Sequence, residues 1–219
     1  MNSVRFIFFL LFTVAAFTSH AQGEFHNEVQ RFKKEDSLKK PPAHPILFIG
    51  SSSFTIWKNV HNDFPQHTIL NRGFGGSRLL DVIHYASDVI YPYGPKQVVI
   101  YAGENDIAYS DTVSPEQVLN RVKSLFFLLR GIYPNVPVVY VSIKPSVARQ
   151  HMMPRMKEAN KLIKKFIKKE KNAAFVNVYD KMLLKDGAPD PSIFLEDKLH
   201  MNAKGYAIWK KELEPYLMK

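Results

Sequence analysis

Five short apolar runs punctuate the chain: Ile46–Ile49, Thr68–Leu70, Val98–Tyr101, Val138–Ile143 and Ala174–Val178. None alternates polar with apolar positions. They are nearly solid Ile, Val, Leu, Phe and Tyr, the pattern of strands covered on both faces, which are usually parallel. Between the runs the period changes to that of a helix. Residues 77 to about 91 carry Leu79, Leu80, Val82 and Ile83. Ser114-Pro115-Glu116-Gln117 predicts a helix start, with serine as cap, proline in the first turn and glutamine where a capping box needs it. That helix is expected to reach about Ile132. Pro154 opens another, to about Lys171, and Asn202 can cap the last, to about Leu217. Ahead of the first run, Phe25, Val29 and Phe32 recur at helical spacing among charges, predicting an amphipathic helix over about 24–40 that Pro41, Pro42 and Pro45 end. Strand and helix thus alternate five times. The expected fold is α/β: a central five-stranded parallel sheet in a three-layer α/β/α sandwich with right-handed crossovers. The pattern shows no internal repeat and no linker, so residues 22–219 are expected to form a single domain.

The start of the chain obeys another rule. Residues 1–21 combine Arg5, an apolar stretch from Phe6 to Phe17, and Ser19-His20-Ala21 with small residues at the positions a signal peptidase reads. This is the pattern of a secretory signal peptide, expected to be cleaved after Ala21. The apolar stretch is short for a bilayer span, so no stable membrane insertion is expected after cleavage. Export would place the mature protein in the periplasm or outside the cell.

Charge adds one odd number. The chain has 30 Lys+Arg against 20 Asp+Glu, a formal net charge of +10, and no cysteine among its 219 residues. Loss of residues 1–21 removes only Arg5 and leaves +9. Residues 155–171 alone hold eight Lys or Arg and two Glu, a net +6. Met156, Ala159, Ile163 and Phe166 share one face of that expected helix, with Lys157, Lys161, Lys164, Lys168 and Lys171 turned away. A solvated basic face is the plain reading, and a polyanion-binding strip the alternative. No aromatic residue lies on the exposed face to favour the alternative. With export, no nucleic-acid partner is expected. The absence of cysteine removes disulfides, thiolate metal sites and a cysteine nucleophile. No His-Glu-x-x-His run occurs and the histidines show no ligand spacing, so neither metal nor organic cofactor is expected.

In an open parallel sheet, ligands bind beyond the carboxyl ends of the strands. Gly50-Ser51-Ser52-Ser53-Phe54 follows the first strand, where a serine can be exposed over a helix N-terminus or can merely cap it. Asn71-Arg72-Gly73-Phe74-Gly75-Gly76-Ser77 follows the second; its glycines let the backbone approach a ligand. Gly103-Glu104-Asn105-Asp106 follows the third, where a side-chain amide can donate to an oxyanion or simply make an Asx turn. After the fifth strand comes Asp197-Lys198-Leu199-His200, in which an Asp three residues before His can hold the imidazole Nδ1. Each motif is short, but they fall at successive strand ends in one order.

In that order they resemble the SGNH hydrolase superfamily, the GDSL esterases and lipases, whose fold is flavodoxin-like. The resemblance covers the chain from about residue 24 and is nearest to an exported bacterial branch similar to platelet-activating-factor acetylhydrolase. By position it implies Ser52 as nucleophile, Asp197 and His200 as its partners, and Ser52, Gly76 and Asn105 as the oxyanion hole. Ser51 stands where the family's Gly-Asp-Ser block has Asp, and Ser51 and Ser53 compete with Ser52 for the nucleophile role. Arg72, Glu104 and Arg149 are further candidates for contact with substrate. The implied activity is hydrolysis of carboxylic esters, with small acyl groups on carbohydrate first. A lipid or lysophospholipid esterase is the alternative within enzymes, and a non-catalytic or polyanion-binding module the alternative outside them. Either enzyme acts on a small-molecule or glycan ester.

Overall fold

The computed structural model describes residues 23–219; the leader expected at 1–21 lies outside the described residues. In chain order the elements are α1 (His26–Leu38), β1 (Ile46–Gly50), α2 (Ser52–Thr55), α3 (Val60–Asp63), β2 (Ile69–Gly73), α4 (Leu79–His84), α5 (Ala86–Val89), β3 (Gln97–Tyr101), α6 (Glu104–Tyr109), α7 (Pro115–Ile132), β4 (Val138–Val141), α8 (Met153–Ile167), β5 (Ala173–Val176) and α9 (Ala203–Leu213). The five strands form one parallel sheet in the order β2-β1-β3-β4-β5. The order reverses between β1 and β3, and a crevice opens beyond the strand ends at such a reversal.

Both faces of the sheet are covered, which is why its strands read as solid apolar runs. Leu47, Ile49, Val98 and Ile100 point into a core shared with α1, α4, α7 and α8. Their neighbours Ile46, Phe48, Val99 and Tyr101 point into a second core around Phe54, Trp57 and Trp209. Trp57, Tyr101 and Trp209 are therefore packing residues. The Ser114–Gln117 capping box forms as its sequence predicts. In α1, Val29 and Phe32 are buried as the spacing requires, together with Phe25 just before it.

Several boundaries differ from the sequence pattern. The last helix ends at Leu213, not near Leu217. The helix expected over 77–91 breaks at Tyr85, whose ring turns edge-on to Phe74. The helix expected to reach Lys171 ends at Ile167, and the chain reverses through Asn172 at φ +50°. β4 stops at Val141, not Ile143. There side chains take over from the ladder: Asn160 accepts from the Ile143 N–H and donates to its carbonyl, both at 2.8 Å, and Ser142 Oγ accepts from the N–H groups of Val178 and Tyr179 at 3.0 and 3.1 Å. Lys144 and the residues after it are thus released towards the crevice.

Candidate active site

The turn after β1 depends on Gly50. It has φ +134°, and a Cβ there would lie 1.8 Å from the Tyr101 carbonyl oxygen, so only glycine lets β1 end against β3 in this way. The Gly50 carbonyl accepts from Phe74 N–H at 2.9 Å and Ser77 Oγ at 3.1 Å, tying the turn to the loop after β2. Ser51 takes the extended conformation of a helix cap and is buried, its N–H donating to Tyr101 O at 2.9 Å. Ser52 begins α2, and the first N–H groups of a helix have no partner within it. Ser53 is buried. Of the three serines, Ser52 is the one whose Oγ meets the histidine.

That histidine arrives from a loop. Phe194 and Met201 form an isolated antiparallel bridge, and Leu195 N–H donates to the His200 carbonyl at 2.8 Å. Between them, Asp197 Oδ1 accepts from the N–H groups of Leu199 and His200, each at 2.9 Å. Its other oxygen lies 2.6 Å from His200 Nδ1, and His200 Nε2 lies 3.0 Å from Ser52 Oγ. Asp197 is surrounded by donors. What burial it has pushes its pKa up, but the hydrogen bonds from the His200 ring and from two N–H groups outweigh that and hold it at about 2.

Gly76, at φ +82°, and Asn105, in the first turn of α6, border the same pocket. Asn105 Nδ2 donates to Ser77 O at 3.2 Å, and Asn105 Oδ1 accepts from Arg149 Nη1 at 3.0 Å. A carbonyl can only accept and a guanidinium only donate, so both neighbours fix the same orientation of the amide. The pocket has a volume of about 350 Å³. Ser52, Gly76, Glu104, Asn105, Arg149 and His200 line it together with Lys144 and two aliphatic side chains, Ile56 and Leu199.

The other candidates divide. Arg149 lies in the pocket wall as expected. Glu104 also lines it but is buried and already engaged. Its carboxylate accepts from Tyr101 Oη at 2.6 Å and faces Lys144 at 3.1 Å and Arg149 at 3.1 Å. Burial alone would push Glu104 up; the Lys144 and Arg149 cations outweigh that and hold it below the ordinary carboxylate value. Arg72 is a correction. The polar run Asn71-Arg72-Gly73 looks like a loop but completes β2, in register with Phe48, Ile49 and Gly50. Its alternation turns Arg72 towards α1, where it is buried between the Phe32 and Tyr93 rings and pairs with Asp36. Arg72 fastens α1 to the sheet and does not reach the pocket. Lys144 carried no sequence signal as a site residue; only the fold brings it in.

The lysines of α8 lie elsewhere. Lys157, Lys161, Lys164 and Lys165, with Lys168 just past the helix, line a shallow groove together with Phe175 of β5 and Tyr179. Met156, Ala159 and Ile163 are buried as expected, joined by Ile167, while Phe166 is only partly covered. Among the described residues, no helix is long and apolar enough to cross a membrane.

Residues 50–208 match the model of the GDSL-like lipase/acylhydrolase family. The chain belongs to that family. It is therefore a hydrolase of ester bonds. Solved structures of similar fold agree with this GDSL-like architecture. A Streptococcus pneumonia protein named for platelet activating factor shares 21% identity at a TM-score of 0.77, over 89% of this chain and 93% of its own. A GDSL-like lipase from Bacteroides thetaiotaomicron shares 22% at 0.70, over 86% and 96%. An acetylxylan esterase from Geobacillus stearothermophilus shares 16% at 0.60, over 81% and 96%. Comparison with curated proteins finds no match.

Proposed function

We propose that this GDSL-like protein is an exported serine esterase that removes small acyl groups, acetyl foremost, from carbohydrate esters through an acyl-enzyme on Ser52. The observation that carries the reading is the continuous contact from Ser52 Oγ to His200 Nε2 and from His200 Nδ1 to Asp197, at 3.0 and 2.6 Å. Ser52 Oγ attacks the ester carbonyl carbon while His200 Nε2 takes its proton. Asp197 holds the Nδ1–H tautomer and stabilises the imidazolium that forms. The carbonyl oxygen, now an oxyanion, meets the N–H of Ser52, the N–H of Gly76 and the second proton of the Asn105 amide. Collapse of the intermediate breaks the bond to the alcohol, which leaves with the proton from His200. Water then repeats the attack on the acyl-enzyme, with His200 again as base, and releases the acid.

Two features support a small acyl group on a polar alcohol. The pocket is small, and nine of its thirteen lining residues are polar or charged by type, with Ile56 and Leu199 as its aliphatic side chains. A long acyl chain would need more apolar wall than that. The similarity in fold to an acetylxylan esterase points the same way. The leader read at residues 1–21 puts the reaction outside the cytoplasm. Rates on p-nitrophenyl esters of increasing chain length test the substrate class, beside a panel of acetylated sugars. The acetate should be the best of the series and Ser52→Ala should abolish its turnover. A preference for eight carbons or more would make the protein a lipid esterase instead.

A further inference from the structure

β4 ends without a recognisable motif, yet the segment after it carries the one lysine buried among the described residues. The Lys144 side chain is 1% exposed. Burying an ammonium is expensive, and an apolar side chain of similar size would serve stability as well or better. Packing therefore does not explain this residue. Its contacts do. Lys144 Nζ lies 3.1 Å from Glu104 Oε2 and 3.3 Å from Oε1, and it donates to the Leu199 carbonyl at 2.8 Å. Glu104 in turn holds Arg149 at 3.1 Å, and Arg149 Nη1 reaches Asn105 Oδ1 at 3.0 Å. Leu199 is the residue immediately before His200.

We propose that Lys144 is a positioning residue that ties the oxyanion side of the site to its base. Through Glu104 and Arg149 it fixes which way the Asn105 amide faces. Through the Leu199 carbonyl it fixes the loop that carries His200. The inference rests on the reading of Ser52, Asn105 and His200 given above. Two further features support it. With its oxygen held by Arg149, the Asn105 amide can present only N–H to an oxyanion. The backbone bond from Ala148 N–H to the Lys198 carbonyl, 3.0 Å, joins the same two segments a second time, so the loop after β4 is the natural place for such a tie. Burial pulls the pKa of Lys144 down, and Glu104 opposes that as the charged partner. Because its ammonium is spent on these two partners, Lys144 is expected to act on the transition state and not on substrate affinity.

The test uses Lys144→Met and the double variant Lys144→Met/Glu104→Gln, which leaves no unpaired buried carboxylate. Each is assayed on p-nitrophenyl acetate, with folded active sites counted by a fluorophosphonate label. We expect kcat per active site to fall about 10- to 100-fold in both, as sub-ångström to ångström misplacement does, with KM within about threefold of the parent. In an Asn105→Ala background the further loss from Lys144→Met should be smaller, because one of its two targets is gone. A kcat within about twofold of the parent in both variants, a loss confined to KM, or losses that multiply fully with Asn105→Ala would each overturn the inference. So would a double variant that does not fold, which would make the pair a folding element. Ser52→Ala run alongside separates the two readings. Turnover that survives it overturns the functional reading and this inference together. Turnover lost in Ser52→Ala but kept in both Lys144 variants overturns this inference alone.

Discussion

Ser52, Gly76 and Asn105 stand just past the ends of β1, β2 and β3, whereas Asp197 and His200 stand near the tip of an irregular loop. The first three inherit their places from a parallel ladder in which Gly50 is in register with both Gly73 and Tyr101. Moving one of them means moving a strand buried on both faces. The other two inherit theirs from hydrogen bonds within a few residues: Asp197 to the N–H groups of Leu199 and His200, and Asn202 Nδ2 to the carbonyls of Ser192 and Phe194 at 2.9 and 3.0 Å. Exposure follows the same division. Asp197 is 46% exposed at its side chain, while Glu104, the carboxylate on the sheet side, is 5% exposed. On the proposed mechanism, the site draws its rigid half from the fold and its proton-handling half from a short self-bonded loop, provided something fastens the two.

This comparison can be broken at either half. On the loop side, Asp197→Asn removes the carboxylate proposed to stabilise the imidazolium; the amide oxygen can still accept from the Leu199 and His200 N–H groups, which turns the amide NH2 towards His200 Nδ1. Its kcat should fall by about 10³–10⁴ with little change in near-ultraviolet circular dichroism, since no core residue is touched. A loss below about tenfold would mean that the loop does not orient His200. On the sheet side, Asn105→Ala should lower kcat by about 10²–10³ and leave the melting temperature nearly unchanged, because the amide supports no core packing. If KM rises and kcat stands, Asn105 binds substrate and not the transition state.

The smallest effect separates the halves by acid. The Asp197 carboxyl, ordinarily at 3.8, is held at about 2, so its contribution to stability is complete above about pH 4 and disappears as pH falls to about 2. The gap in melting temperature between the parent and Asp197→Asn should therefore close over that interval. Because the carboxylate is nearly half exposed, solvent screens it and the gap should correspond to no more than about 1 kcal/mol. A gap that widens on acidification would contradict the direction of the shift.

What the sequence discloses follows the same line. β1 and β3 are found within a residue of their ends because solid apolar runs demand burial on both faces. The serine, glycine, asparagine and aspartate–histidine motifs are legible because each is local. Arg72 misleads for the opposite reason. A polar side chain in a buried strand is indistinguishable from loop until Asp36 and Tyr93, far off in sequence, are seen to receive it. Lys144 is silent on similar grounds, since its partners at Glu104 and Leu199 lie 40 and 55 residues away. The break at Tyr85, where the ring stands edge-on to Phe74, is likewise not encoded in the helical period.

The central claim is that Ser52, and neither Ser51 nor Ser53, carries the acyl group. A fluorophosphonate that reacts irreversibly with an activated serine tests it most directly, with intact-protein and peptide mass spectrometry locating the adduct. One adduct per chain on Ser52, absent in Ser52→Ala and sharply slowed in His200→Ala, is the predicted result. An adduct on Ser51 or Ser53, or labelling that persists at full rate in Ser52→Ala, would contradict the account.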